Sequence, residues 1–244
     1  MKSKLLVFVI STFALTNWQC GGLSKLGLIP NEFEMAGGLK GALEQGLFKS
    51  FDAFANPKSN ASLLLKLPAE MDKVQTVLNS LGVKTSIPQI TDKLTAAMGA
   101  AMTTARPIFI QSLRNMSIKD AARILVTNNP HAATDYFKAS ATDSLTKALL
   151  PIVDSTVKLD GADTEYRQIA NIYNNIPFLN KKIETNLSGF IAGRAIDAMF
   201  LIIAKEEQDI RSKYNFRKTD MIRKAFNYAE QEVKRKFGTQ TLPN

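Results

Sequence analysis

Apolar residues recur along this chain at three- and four-residue intervals, the spacing that places side chains on one face of an α-helix. Over residues 34–55, Leu39, Ala42, Leu43, Gly46, Leu47, Phe51 and Phe54 fall on one stripe. Asn56-Pro57 ends that stripe, because the residue before a proline is pushed out of the helical region. A loop over 57–66 carries the run Leu63-Leu64-Leu65. Pro68 suits the first turn of a second helix, with Met71, Val74, Leu78 and Leu81 inward and Gly82 as its C-terminal cap. Ser86 and Pro88 open a third, with Ile90, Leu94, Ala97, Met98 and Ala101 inward. Pro107, which lacks an N–H, is expected to end or kink it before a short segment holding Ile108, Phe109 and Leu113.

The second half follows the same rule. Ser117, with Asp120 three residues on, opens a helix bearing Ile118, Ala121, Ile124 and Leu125. A helix over 131–139 carries Ala133 and Phe137, and Thr142 caps a separate one with Leu145, Leu149 and Val153, bent at Pro151. Asp160-Gly161 reads as a turn. Residues 162–174 form a helix with Tyr166, Ile169, Ala170 and Tyr173 inward. The most apolar segment, over 188–210 and capped by Ser188, carries Ile191, Ala195, Ala198, Met199, Ile202 and Ile203 on more than one face, which predicts a central position. Thr219 caps the last helix, with Ile222, Phe226, Ala229, Val233 and Phe237 in register. With no strand alternation and no fixed-period repeat, the expected fold is all-α: a single compact bundle of about ten helices over residues 34–238, with a tail at 239–244.

Residues 1–19 read differently. Lys2 and Lys4 precede an apolar stretch over 5–15 that is shorter than the ~20 residues a bilayer-spanning helix requires. A positive start, a short apolar run and a polar exit make a secretory signal peptide. Cys20, the chain's one cysteine, follows directly, and an exported chain with one cysteine has no internal disulfide partner. Its place marks it as the lipidation site of an exported, periplasmic lipoprotein, tethered to a bacterial membrane through residues 20–33. Asn17 and Gln19 stand where such cleavage sites usually hold leucine and a small residue.

A set of short strings adds a family resemblance. Gly38-Leu39-Lys40-Gly41-Ala42-Leu43 is followed by Lys66-Leu67-Pro68, Ala105-Arg106-Pro107-Ile108-Phe109, Ala132-Ala133-Thr134-Asp135-Tyr136-Phe137 and Leu150-Pro151-Ile152. Ala195-Ile196-Asp197-Ala198-Met199-Phe200, Ile203-Ala204-Lys205-Glu206-Glu207 and Thr219-Asp220 complete the order. Over roughly residues 35–238 this order and spacing resembles the bacterial family catalogued as domain of unknown function 4197. The resemblance implies an exported, all-helical protein and carries no activity with it.

Composition narrows the chemistry. Apolar residues make up 45% of the chain, enough for a packed core. The formal charge of +9 becomes +7 without Lys2 and Lys4, a basic excess that a solvated surface accommodates. A single histidine, His131, and a single cysteine fall short of a His/Cys metal site. No cofactor is expected: the chain shows no Gly-rich phosphate loop and no Gly-x-Ser-x-Gly elbow.

Three polar clusters remain. Thr134, Asp135 and Tyr136 stand in a first helical turn, where an acid favours the positive helix end or a Tyr–Asp pair lines a cleft. Asp197, Glu206, Glu207 and Arg211 share the most apolar segment. Glu207 and Arg211, four apart, read as a surface ion pair. Asp197 interrupts an apolar run and, if buried, requires a partner such as Arg194 or Arg106. Asp197 and Glu207 stand about 80° apart at ~100° per residue, close enough to share a broad face. Such a pair serves a structural ion network or acid–base hydrolysis. Lys213, Arg217, Lys218, Arg223, Lys224, Lys234, Arg235 and Lys236 give the last helix a basic character suited to anionic lipid or to an ordinary solvated face. The favoured expectation is a non-enzymatic envelope domain that binds a partner protein or an apolar ligand. A carboxylate-dependent hydrolase and a peripheral binder of anionic membranes are the alternatives; nucleic acid is not expected as a partner, since export removes it.

Overall fold

The computed structural model describes residues 29–60, 63–65, 74, 76–77, 79–80, 82, 87–119, 121–159, 161–177, 182–183 and 185–238. The expected signal peptide, Cys20, most of the expected tether and the expected tail fall outside the described residues, as does most of the helix expected from Pro68, of which residues 74, 76–77 and 79–80 are helical and Val74 is buried as expected. Asp120 also falls outside them.

Among the described residues there are seven α-helices and no strand: α1 (Glu32–Ala55), α2 (Ile87–Asn115), α3 (Ala121–Leu125), α4 (Ala132–Leu159), α5 (Ala162–Asn174), α6 (Leu187–Ser212) and α7 (Asp220–Phe237). The all-α expectation holds, and the count of about ten is corrected. Two of the expected breaks are absent. Helix α2 runs through Pro107, and α4 joins the two helices expected on either side of Thr142 and continues through Pro151. Each proline removes one backbone donor, but both rings face solvent, where water satisfies the freed carbonyl. The flanking anchors are buried, Ala105 and Phe109 around one proline, Leu149 and Val153 around the other, and their burial outweighs one lost hydrogen bond. Thr142 does not cap; its hydroxyl donates to the Lys138 carbonyl at 2.6 Å inside the helix.

Local capping explains the other boundaries. Asn31 begins α1 two residues earlier than the stripe suggests. Its side chain accepts from the Glu34 N–H at 2.9 Å while Glu34 accepts from the Asn31 N–H at 2.9 Å, a complete capping box. Thr219 caps α7 as expected, accepting from the Ile222 N–H at 3.2 Å. Ser188 does not cap α6: Asn186 does, accepting from the Gly189 N–H at 3.0 Å, and the Ser188 hydroxyl donates to Asp154 at 3.0 Å. Helix α3 begins after Ser117, and its first N–H, on Ala121, donates to Glu32 Oε1 at 2.6 Å from the start of α1. Gly161, with φ of 68°, makes the left-handed turn between α4 and α5.

The centre is α6, which packs against α1 on one side and α4 on another. Helix α2 lies against α1 and α4, α7 against α1, and α5 covers the α2–α4 pair. By length and composition α6 could cross a membrane, yet here it runs through the core, with Ile191, Ala195, Met199 and Ile203 fully buried. Edge-to-face rings join the layers: Phe51 of α1 to Phe109 of α2 at 6.1 Å, and Phe137 of α4 to Phe200 of α6 at 5.5 Å. The predicted stripes of α1, α2 and α5 are buried throughout, whereas Phe237 at the end of α7 is 44% exposed.

Candidate functional site

The C-terminal half of α6 carries Glu206, Glu207 and Arg211, all buried. The expectation that Glu207 and Arg211 form a surface pair is therefore corrected. Glu207 accepts from the backbone N–H groups of Ala133 and Thr134 at 3.0 and 2.7 Å and from the Thr134 hydroxyl at 2.7 Å. It thereby supplies, from another helix, acceptors for two of the first backbone donors of α4. Arg211 donates to Glu207 at 2.9 Å and to the carbonyls of Leu125 and Ile124 at 2.9 and 3.1 Å, the last two residues of α3. A carboxylate meets the positive end of one helix and a guanidinium the negative end of another. Arg217 repeats the device, donating to the α6 carbonyls of Ile210 and Arg211 at 2.9 and 3.0 Å and pairing with Glu230 at 2.9 Å. Glu206 accepts from Gln45 at 2.6 Å and from the Lys49 ammonium. The carboxylates and guanidiniums are matched by protein partners, which marks them as architecture, while Gln45 Oε1 beside Glu206 is buried without a hydrogen-bond partner among the described residues.

Asp197 is the second correction. Its side chain is 64% exposed, and its partner is Lys138 of α4, at 3.2 Å. An exposed carboxylate requires no buried counter-ion, and Arg106 is elsewhere: its guanidinium lies over the rings of Phe48 and Phe51 at 5.1 and 5.3 Å. Asp197 and Glu207 both meet α4, Asp197 through Lys138 and Glu207 through Ala133 and Thr134, but the two carboxylates do not come together: one is largely exposed and the other is buried in the α3–α4 corner. The Tyr–Asp pair does not form either: the Tyr136 hydroxyl donates to the Ser117 carbonyl at 2.7 Å, and exposed Asp135 accepts from Asn129 at 2.8 Å. Half-buried His131 sets its Nδ1 3.1 Å from the Ala204 carbonyl at the start of α4.

Asp135 and Asp197 do, however, line one groove of about 600 Å³. Along α6, Arg194, Asp197, Ala198, Leu201 and Ala204 follow helical spacing and form one wall. Thr134, Asp135 and Lys138 of α4 stand opposite, and Met98 of α2 with Leu63, Leu64 and Leu65 closes an apolar side. Leu64 and Leu201, 43% and 60% exposed, present apolar surface to this groove. The apolar run at 63–65 was legible as a run but not as a wall, and Lys138 and Leu201 gave no signal in the sequence. Arg106, Tyr136, Glu206, Glu207 and Arg211 do not line this groove.

The basic residues of the last helix are largely matched by acids. Lys234 pairs with Glu230, Arg235 with Glu232, Arg223 with Asp220, Lys224 with Glu34, and Lys213 with Asp209. Hydrogen bonding by Lys234, opposed by partial burial and reinforced by Arg217, holds the Glu230 carboxyl below the usual range. For Asp209, burial raises the pKa, and the Lys213 and Lys205 ammonium groups outweigh it, so the net shift is downward. Among the described residues no three His, Cys, Asp or Glu side chains stand together as a metal site. Glu206, Glu207 and Asp209, adjacent in sequence, each turn to their own cations.

No curated protein and no solved structure matches this chain. One family model does, over residues 30–227, which takes in α1 to α6 and the first half of α7 with every groove-lining residue. The chain belongs to that family, described as Protein of unknown function (DUF4197).

Proposed function

We propose that the domain is a non-enzymatic binding module of the bacterial envelope, held at a membrane through acylated Cys20, whose groove between α4 and α6 takes an apolar ligand. The observation that carries this reading is the groove. Its volume of about 600 Å³ lies within the range of ligand sites, roughly 300–1,000 Å³. Apolar side chains from three parts of the chain meet four charged ones at its rim, the usual mixture of bulk affinity and orientation. Two leucines half open to water stand ready to be covered, and covering them contributes about 25 cal/mol per Å².

Native mass spectrometry after gentle purification tests the groove. A bound small molecule that is lost in Leu201→Asp supports the reading; a co-purifying polypeptide lost in the same variant replaces the small ligand with a partner protein. A clean apo mass with neither contradicts both. The address is tested separately. Metabolic labelling with an alkyne fatty acid is expected to tag the protein and to leave Cys20→Ala untagged, and an unlabelled wild type removes the anchor from the proposal.

A further inference from the structure

We infer that the groove recognises an amphiphile with a single anionic head, and that Arg194 is the receptor for that head. The inference rests on the groove reading above and adds the class of ligand. Four ionic side chains line the groove: Asp135, Lys138, Arg194 and Asp197. Three are already matched. Lys138 and Asp197 pair at 3.2 Å. Asp135 accepts from the Asn129 amide at 2.8 Å and stands in the first turn of α4, where the positive helix end offsets its charge.

Arg194 is left over. Its guanidinium lies over the Phe190 ring, 5.6 Å from the centroid, and forms no salt bridge among the described residues; Asp197, one turn farther along the same wall, pairs with Lys138 instead. A guanidinium that makes no salt bridge keeps N–H donors available, and two parallel N–H donors fit a carboxylate or a phosphate in fork geometry. Leu201 lies seven residues farther along the same wall, ~10 Å away at 1.5 Å rise per residue, with Ala198 between them. The wall thus reads, along one helix, as a cation followed by an apolar strip. A neutral apolar molecule would leave Arg194 unused, and a cationic one would meet two acids that already have partners. The ligand that completes the groove is a chain that covers Leu64 and Leu201 and ends in an anion.

Isothermal titration of the whole mature chain, produced without its acyl group, tests this with four probes: dodecanoate, dodecyl phosphate, dodecanol and dodecyltrimethylammonium. At least one anionic probe is expected to bind about tenfold more tightly than dodecanol, with the ammonium probe weaker still. The ratio of dodecanoate to dodecyl phosphate identifies the head group. Arg194→Gln is expected to erase the preference for the anion while dodecanol binding stays, and Arg194→Lys to restore part of it. Arg194 is exposed on a helix, so its replacement leaves the fold intact. Equal binding of dodecanol and both anions, or a preference that survives Arg194→Gln, overturns the assignment and leaves the groove standing, provided Leu201→Asp abolishes binding. Failure of all four probes to bind overturns both readings together.

Discussion

At the scale of single residues, the sharpest contrast lies between two carboxylates on one helix. Asp197 and Glu207 both interrupt apolar sequence, yet one is largely exposed and the other fully buried. Burying Glu207 and Arg211 together is tolerable because each also meets helix-end backbone groups, so neither charge depends on its partner alone. Removing one of them strands the other. Arg211→Met is expected to cost about 3–5 kcal/mol in urea unfolding, because it leaves the Glu207 charge buried beside α4. Glu207→Gln in the same chain is expected to recover part of that loss, since the uncompensated charge disappears. A double mutant as unstable as the two single changes added together would show that the pair is not coupled. Lys138→Ala removes an exposed pair with Asp197 and is expected to change stability by less than about 1 kcal/mol.

At the scale of elements, the contacts between helices are set by missing side chains as much as by present ones. A Cβ at Gly38 would lie 2.3 Å from the Ala225 Cβ and 3.0 Å from the Met221 carbonyl oxygen, so α1 and α7 cross with no room to spare. Gly38→Ala is expected to destabilise the protein by about 1–3 kcal/mol, because the helices must separate. A Cβ at Gly193 on α6 would meet nothing within 4 Å among the described residues, and Gly193→Ala is expected to stabilise by about 0.5–1 kcal/mol through helix propensity alone. Thermal unfolding of the two variants side by side distinguishes crowding from backbone entropy: shifts of the same sign would contradict the packing argument. Loss of the capping box in Asn31→Ala is expected to cost about 1 kcal/mol, read in the same assay.

At the scale of the molecule, charge pairing ties stability to pH. The Glu230 and Asp209 carboxyls are held below their ordinary range by Lys234 and Arg217 and, against burial, by Lys213 and Lys205. A carboxyl with a depressed folded-state pKa contributes stability that is complete above its unfolded value. That contribution is lost as pH falls through the folded value. The urea midpoint is therefore expected to decline from about pH 4.5 downward, the ordinary carboxylate range, and Asp209→Asn to make that acid limb shallower. A limb of unchanged slope in the variant would take Asp209 out of the account.

The division between sequence and tertiary structure follows the range of the forces involved. Helical spacing is a local property, so the buried stripes of α1, α2 and α5, the cap at Thr219 and the turn at Gly161 were legible from neighbours three and four residues apart. The capping box at Asn31 was equally local and was there to be read. Family membership was legible because it rests on the order of strings. The unbroken course of α2 through Pro107, and the joining of two expected helices into α4 across Thr142, were not, because each turns on burial against other helices. The candidate site was legible in Asp135 and Asp197 and illegible as a groove, which needs residues 63–65, Met98, α4 and α6 in one place. Which carboxylate of α6 meets water and which caps α4 depends on the helices packed around each turn. By itself the sequence determined that the chain is helical and which faces of α1, α2 and α5 turn inward; only the tertiary structure decided what those faces enclose, because burial is fixed by neighbours far away in the chain.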